Sequence, residues 1–592
     1  MRAGGREQEQ GQEADEHRSR AGGIVPESPG GSNSPSESPL PRLAIVGIDG
    51  ATWRIARPLA AAGELPNIAR ILRQGGSGVL ESETPPITPP AWVSMMTGVN
   101  PGRHGVFHFL RRLPGSYQTP LHDAGSFAGY DLHDLLAGRG WTVGSLAVPM
   151  TFPPRRRPGS WQVAGIPCPL DPELVCDTPE TAAAVAAAAG RPYRPDLDYG
   201  PWDGDEEPPA EDLDRYDELR RELFAIERER LAAARALLRD RPTDLFFTVV
   251  SVTDRCQHYF WKFQDRSHPG WSEEGERRYG EVIRDAYRLA DEFVGAVRAE
   301  VGEDCPIALV SDHGFGPQLG DFHANRWLEE QGYLVRRRRP PCWTIARTDL
   351  GRVLTRLRLG RLARLLGPLA RLPILRPWYK RRGDLADVDW SRTRVYQALH
   401  GLCLNLAGRE PEGIVPPAEA ERLLTEVEER LRGLRLPDGS PAAELFVRPG
   451  DRYAGPRAGE APDLQYQLGG LAWLPKDDWE APADFTGRRH AAISGTHRFD
   501  GIFAVAAPGV AAGARVEAMH IRDTTPTLLH VIGEPVPRWM EGRVHSDLLA
   551  EPRPVRFRDE DEPRPGGGGA AAFSADQAAA IEESLRGLGY LQ

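Results

Sequence analysis

Three uninterrupted apolar runs punctuate the chain, and each one delivers an aspartate. Leu43-Ala-Ile-Val-Gly-Ile48 leads into Asp49, Leu245-Phe-Phe-Thr-Val-Val-Ser-Val-Thr253 into Asp254, and Ile307-Ala-Leu-Val-Ser311 into Asp312. β-Branched runs of this length, separated by helical periodicity, predict strands buried on both faces of a parallel sheet. Ligands of open α/β sheets gather beyond the carboxyl ends of the strands, so the three acids are expected to converge.

The intervening segments support this alternation. Ala56 to Gly75 carries Leu59, Leu65, Ile68, Ile71 and Leu72 at helical spacing and closes on Gly75-Gly76. Gly78 to Leu80 reads as a short strand, Asp131 to Gly140 as a helix, and Thr142 to Val148 as a further strand. Asp212 to Asp240 predicts a long amphipathic helix with Leu213, Tyr216, Leu219, Leu223 and Ile226 on one stripe, and Glu273 to Glu300 another helix. The expected fold class is α/β, a mostly parallel central sheet with helices on both faces and an inserted cap region.

One stretch breaks the pattern. From Glu83 to Phe109 the chain is crowded with Pro, Thr, Ser and Gly, which excludes a long regular element. Thr88 lies between Pro86, Pro89 and Pro90, and Ala91 to Thr97 reads as a short helix whose N-terminal N–H groups would face an anion.

Two of the strand-end acids have a histidine close by: Asp312-His313 directly, and Asp254 four residues before His258. A third, His497, precedes the apolar run Gly501 to Ala506. Three Asp, three His and one Thr form a donor inventory for two divalent ions. Oxygen and imidazole donors suit zinc, with manganese as the alternative. Two ions about 3.5–4 Å apart would clamp the attacking and leaving oxygens of an in-line phosphoryl displacement. Burying these groups together without cations would be costly.

These motifs resemble the type I phosphodiesterase/nucleotide pyrophosphatase branch of the alkaline phosphatase superfamily. The resemblance is carried by Val46-Gly-Ile-Asp-Gly50, the T-x-P-x-x-x-S-x-x-T-G-x-x-P-x-x-H-G string from Thr88 to Gly105, Asp254-x-x-x-His258, Val310-Ser-Asp-His-Gly314 and Gly495-Thr-His497. It implies that Asp49, Thr88, Asp312 and His313 surround one metal and that Asp254, His258 and His497 hold the other. It further implies that Thr88 is a nucleophile forming a phosphothreonine. The nucleotide pyrophosphatases carry an Asn after the H-G motif where this chain has Phe109; His108 is the neighbouring candidate for the same contact, and both are expected at the substrate.

Composition narrows the setting. A 592-residue chain with 40% hydrophobic residues is ample for more than one core. A net charge of −11 and a pI near 5.8 argue against bulk nucleic-acid affinity. Basic residues are almost all Arg, which, with abundant Ala, Gly and Pro, points to a GC-rich bacterial genome. The six cysteines form no C-x-x-C pair, and none sits in a C-x-P-x-R sulfatase pattern, which together with the polar N-terminus makes a cytoplasmic location the expectation.

The boundaries expected are a disordered tail over 1–41, a catalytic α/β part over 42–320, an arginine-rich insertion over 321–490, the catalytic end over 491–550, and a linker with a short C-terminal helix over 551–592. The insertion contains Arg336 to Arg339 and a basic leucine-bearing segment from Gly351 to Arg382, whose readings are a cap helix with a solvated face or a contact to an anionic membrane surface. The expected activity is hydrolysis of a small-molecule phosphodiester or pyrophosphate. The alternatives are a phosphomonoester, phosphonate or lipid head-group hydrolase with the same site, and a metal-bound interaction or membrane-surface protein with little hydrolysis.

Overall fold

The apolar runs form the middle of an eight-stranded sheet. Its strands lie in the order Arg515–His520, Gly76–Glu81, Asp500–Ala506, Ile307–Val310, Leu43–Ile48, Leu245–Val250, Val143–Val148 and Trp161–Ala164. The computed structural model describes residues 41–199, 213–337, 385–479, 481–489, 491–563 and 572–591. The N-terminal tail before residue 41, the segment 338–384 with most of the arginine-rich stretch, and Gly566 to Gly569 lie outside them.

Register brings the strand ends level. Ile48 pairs with Val250 and Gly47 with Val310, so the three central strands stop within a residue of one another. Five of the seven strand pairings are parallel; Asp500–Ala506 runs antiparallel to both of its neighbours. That reversal matters for the site. An antiparallel strand enters the sheet at the edge where its neighbours leave, so the residues just before Asp500, His497 among them, are delivered beside Asp49 and Asp312. Gly76–Glu81 likewise runs out at this edge, opposite Asp500, and releases the Pro-rich stretch there.

Three expected elements differ in extent. The run to Thr253 is a strand only as far as Val250, and Val252–Gln264 is already helix. The cause is a buried carboxylate: the cap is supplied by Glu227 of helix Asp214–Asp240, whose Oε2 accepts from the N–H groups of Ser251 and Val252, both at 3.0 Å. The Ala56 to Gly75 segment is two helices, Trp53–Ala61 and Pro66–Gln74, because Gly63 turns the chain with φ +82° and Pro66 starts a new first turn. Glu273 to Glu300 likewise divides at Gly280 into Glu273–Tyr279 and Val282–Val301.

The insertion builds a second, seven-stranded sheet from Gly320–His323, Val395–Ala398, Gly401–Leu404, Ala443–Val447, Leu464–Leu468, Trp473–Lys476 and Phe485–Gly487. It has a core of its own, in which helix Pro417–Arg432 places Leu423, Val427 and Leu431 with Phe322, Trp327 and Leu464. Its first hairpin turns through Leu399 and His400, both with left-handed backbones at φ +51° and +59°. Two central residues with positive φ suit the twist of a two-residue hairpin but strain side chains other than Gly or Asn. No helix among the described residues is long and apolar enough to cross a membrane.

Candidate active site

Six acidic and imidazole side chains meet at the carboxyl edge of the main sheet, in two groups. Asp49, Asp312 and His313 form one, and Asp254, His258 and His497 the other; within each, one donor atom per residue lies within 4.8 Å of the others. All six are buried. The seventh residue singled out by sequence, Thr88, is fully buried at the first position of helix Thr88–Thr97.

Local chemistry explains each placement. Asp49 follows its strand directly, and Gly50 then turns with φ +67°, which frees the Gly50 N–H to donate to Asp312 Oδ1 at 3.2 Å. A β-carbon on Gly50 would meet Phe315 at 3.0 Å and the Asp254 backbone at 3.2 Å, so the turn also admits the helix that carries Asp254. Asp254 and His258 are four residues apart on that helix and share a face. Thr253 Oγ1 donates to the Asp49 carbonyl at 2.6 Å and Gln257 Nε2 to the Gly50 carbonyl at 2.9 Å, tying helix to strand end.

The three imidazoles are oriented alike. His258 Nδ1 lies 3.0 Å from the Gly495 carbonyl, His313 Nδ1 3.1 Å from the Gly314 carbonyl, and His497 Nδ1 3.0 Å from the Pro86 carbonyl. A carbonyl only accepts, so each Nδ1 carries a proton. The Nε2 atoms of His258 and His497 stand 3.1 Å apart. Asp254 Oδ1 lies 3.5 Å from His258 Nε2, 3.6 Å from His497 Nε2 and 4.0 Å from His313 Nε2. His313 Nε2 is 3.8 Å from Asp49 Oδ1 and 3.1 Å from Asp312 Oδ2.

Four donor atoms are left without a partner here. Asp49 Oδ1, Asp254 Oδ1, Asp312 Oδ2 and His313 Nε2 are buried without a hydrogen-bond partner. Burial, followed by the Asp312 and Asp254 charges, raises Asp49 well above the carboxylate range, and burial with Asp254 pushes Asp312 up to about 7. Burial holds His258 down to about 3 and His313 well below its ordinary value, which keeps both rings neutral. Asp254 is held low despite its burial; among the neighbours that lower it, Arg255, whose guanidinium is 2.6 Å from Oδ2, is the permanent cation. Neutral imidazoles, clustered carboxylates and orphaned donor atoms are what a pair of divalent cations would satisfy. The residues present fit such a centre, and thiolates take no part: the five described cysteines are buried elsewhere, unpaired.

The anion-binding end of helix Thr88–Thr97 is narrower than expected. Pro89 and Pro90 have no N–H, and the Ala91 N–H is spent on the Ile87 carbonyl at 3.3 Å, so the first turn offers the Thr88 N–H alone.

His108 and Phe109 both reach this region. Phe109 is fully buried, and the His108 ring lies 4.9 Å from that of His400 at the tip of the insertion's hairpin. His400 carried no sequence signal, because a histidine between two short strands looks like any turn residue. Tyr590 was equally silent, a lone tyrosine near the end of an amphipathic helix. Its hydroxyl sits 3.3 Å from Thr88 Oγ1 and 3.2 Å from Asp254 Oδ2.

The family model for type I phosphodiesterase/nucleotide pyrophosphatase matches residues 43–500. The chain belongs to that family. It is therefore a phosphoric ester hydrolase by membership, and the matched span contains all seven residues named above. No curated protein matches the chain. Among solved structures, phosphonoacetate hydrolase from Sinorhizobium meliloti 1021 in complex with phosphonoformate is 13% identical with a TM-score of 0.46, covering 84% of this chain and 96% of its own. Human ectonucleotide pyrophosphatase/phosphodiesterase 5 is 12% identical with a TM-score of 0.45, covering 86% of this chain and all of its own.

Proposed function

We propose that this family member cleaves phosphodiester or pyrophosphate bonds of small molecules, with Thr88 as nucleophile and a phosphothreonine as intermediate. The observation that carries the reading is a buried Thr88, linked through the Tyr590 hydroxyl to Asp254, together with two donor groups in which Asp49 Oδ1, Asp254 Oδ1, Asp312 Oδ2 and His313 Nε2 are buried without a partner. Asp49, Asp312 and His313 would hold one divalent cation and Asp254, His258 and His497 the other, with zinc favoured by the three imidazoles. When bound, the cations supply Lewis acidity, favouring the alkoxide of Thr88 and neutralising charge on the phosphoryl oxygens.

The chain's own residues do the rest. Thr88 Oγ forms the new P–O bond while the bond to the leaving oxygen breaks. Water then cleaves the phosphothreonine, restoring the hydroxyl and releasing the phosphate. The proline-fixed backbone at Thr88 holds Oγ at a constant approach, and the Thr88 N–H is the donor available to a phosphoryl oxygen. His258, His313 and His497 keep their rings fixed through Nδ1 bonds to backbone carbonyls. Phe109 in place of an amide removes one donor from the phosphate, which leaves His108 as the nearest polar side chain on that loop.

The reading is tested with bis(p-nitrophenyl) phosphate and p-nitrophenyl phosphate as substrates. The metal-loaded protein should prefer the diester in kcat/KM, lose activity to EDTA and regain it with zinc or manganese. Thr88→Ala should lose at least about a thousandfold in kcat and Thr88→Ser should retain a phosphorylated species on acid quench. Full activity in Thr88→Ala removes the covalent route, and a preference for the monoester moves the substrate to the alternative class.

A further inference from the structure

The final turn of the chain lies across the candidate nucleophile. Helix Ala575–Gly587 opens with a reciprocal cap between Ser574 and Gln577 and buries Ile581 and Leu585 in the main core. Gly587 lets it dock closely, since a β-carbon there would stand 2.3 Å from the Tyr199 carbonyl, and the Gly587 carbonyl accepts from Tyr259 Oη at 2.6 Å. Gly589 then turns with φ +77°, and the Tyr590 N–H returns to the Leu585 carbonyl at 2.9 Å. The turn aims the Tyr590 side chain into the site, where it is 3% exposed.

Tyr590 takes up the contacts a substrate would need. Its hydroxyl accepts from Thr88 Oγ1 at 3.3 Å and from Arg255 Nη1 at 3.2 Å, and donates to Asp254 Oδ2 at 3.2 Å. Its ring centroid lies 5.0 Å from Phe109, 5.5 Å from His497 and 5.6 Å from His258. Its backbone meets the imidazoles of His108 and His400, so the strained hairpin tip of the insertion closes on the tail from the other side.

A phosphorus poised for attack must come to about 3–3.5 Å from the nucleophilic oxygen. The Tyr590 oxygen already stands at that distance from Thr88 Oγ1. The six metal donors converge from strand ends and one helix, and the hydrogen bond the tail gives them is that from Tyr590 Oη to Asp254 Oδ2.

We propose that the C-terminal turn centred on Tyr590 is an intramolecular occupant of the substrate position, and that its withdrawal precedes each productive encounter with substrate. The inference rests on the reading of Thr88 as nucleophile. Gly589 is the pivot, and Ile581 and Leu585 keep the helix docked while residues 589–591 leave. Binding is then reduced by the fraction of molecules whose tail is out, which predicts an activating effect when the plug is weakened.

The test compares wild type, Tyr590→Phe and Tyr590→Ala as full-length, metal-loaded proteins on bis(p-nitrophenyl) phosphate, with metal content measured on each. It adds hydrogen exchange of wild type with and without orthovanadate, a mimic of the five-coordinate phosphorus. With the tail out in fewer than one molecule in ten, Tyr590→Ala should raise kcat/KM by about tenfold or more and Tyr590→Phe by less. Vanadate should accelerate exchange at residues 588–591. A Tyr590→Ala protein with native metal content and unchanged or lower kcat/KM would overturn the proposal and show Tyr590 as a positioning residue for Asp254 and Thr88. So would vanadate that leaves exchange at 588–591 unaltered in wild type. Accelerated exchange without hydrolysis of either ester would sustain the tail's role and defeat the Thr88 reading instead.

Discussion

Glu227→Ala tests how far the metal-donor geometry depends on a residue outside the site. Glu227 Oε2 receives the N–H groups of Ser251 and Val252 at 3.0 Å and lies 2.9 Å from Arg230 Nη1; both side chains of the pair are about 1–2% exposed. The substitution removes the cap of helix Val252–Gln264, worth about 1 kcal/mol, and leaves the Arg230 guanidinium buried without its counter-charge, a loss of about 3–5 kcal/mol. Arg230 retains Ser251 Oγ at 2.8 Å and the Pro195 carbonyl at 2.9 Å, which places the expected total near the lower end, about 4 kcal/mol. Glu227→Gln keeps an acceptor and loses the charge, so about half that cost is expected.

Denaturant unfolding would read the change as a shift in midpoint at constant slope. Asp254 lies two residues beyond Val252, so a frayed first turn should also weaken zinc binding by about tenfold to a hundredfold in a chelator competition. A loss below about 1 kcal/mol together with unaltered zinc affinity would show that the helix start is held by packing alone, and the capping argument would be wrong.

Other substitutions probe neighbouring contacts. Gly50→Ala forces a side chain onto a backbone with φ +67° and against Phe315 and the Asp254 backbone; a stability loss of about 1–2 kcal/mol and weaker metal retention are expected from thermal and metal-content assays. A wild-type midpoint and metal content would contradict the close-approach account. His122, pushed down to about 3 by burial and then by Arg457 and Arg111, has a folded pKa below its ordinary 6.5. Its contribution is therefore complete above pH 6.5 and is lost as pH falls from there toward 3. Relative to His122→Gln, the wild type should lose about 1.4 kcal/mol per pH unit across that window, and parallel stability–pH curves for the two proteins would refute it.

Pattern alone determined much of this protein. Unbroken apolar runs such as Leu43 to Ile48 can only be buried strands, and a parallel sheet of such strands must expose its chemistry at their carboxyl ends. From that follow Asp49 and Asp312, and the i,i+4 spacing pairs Asp254 with His258 wherever the helix begins. The family motif located Thr88 and His497 without any knowledge of distance. The second strand stops short of its apolar run because its end is set by Glu227, a residue eighteen positions before Leu245 whose carboxylate competes for the backbone of Ser251 and Val252.

Tertiary structure decided the rest. His497 reaches the site because one strand of the sheet runs backwards, a matter of chain path rather than local preference. The orientation of the three imidazoles depends on carbonyls at Gly495, Gly314 and Pro86, and no periodicity encodes which carbonyl a ring will find. Tyr590 and His400 come from the C-terminal helix and from the insertion, so their meeting required both cores to be assembled. Local sequence sets backbone preference and burial; long-range packing alone brings groups hundreds of residues apart within hydrogen-bonding reach.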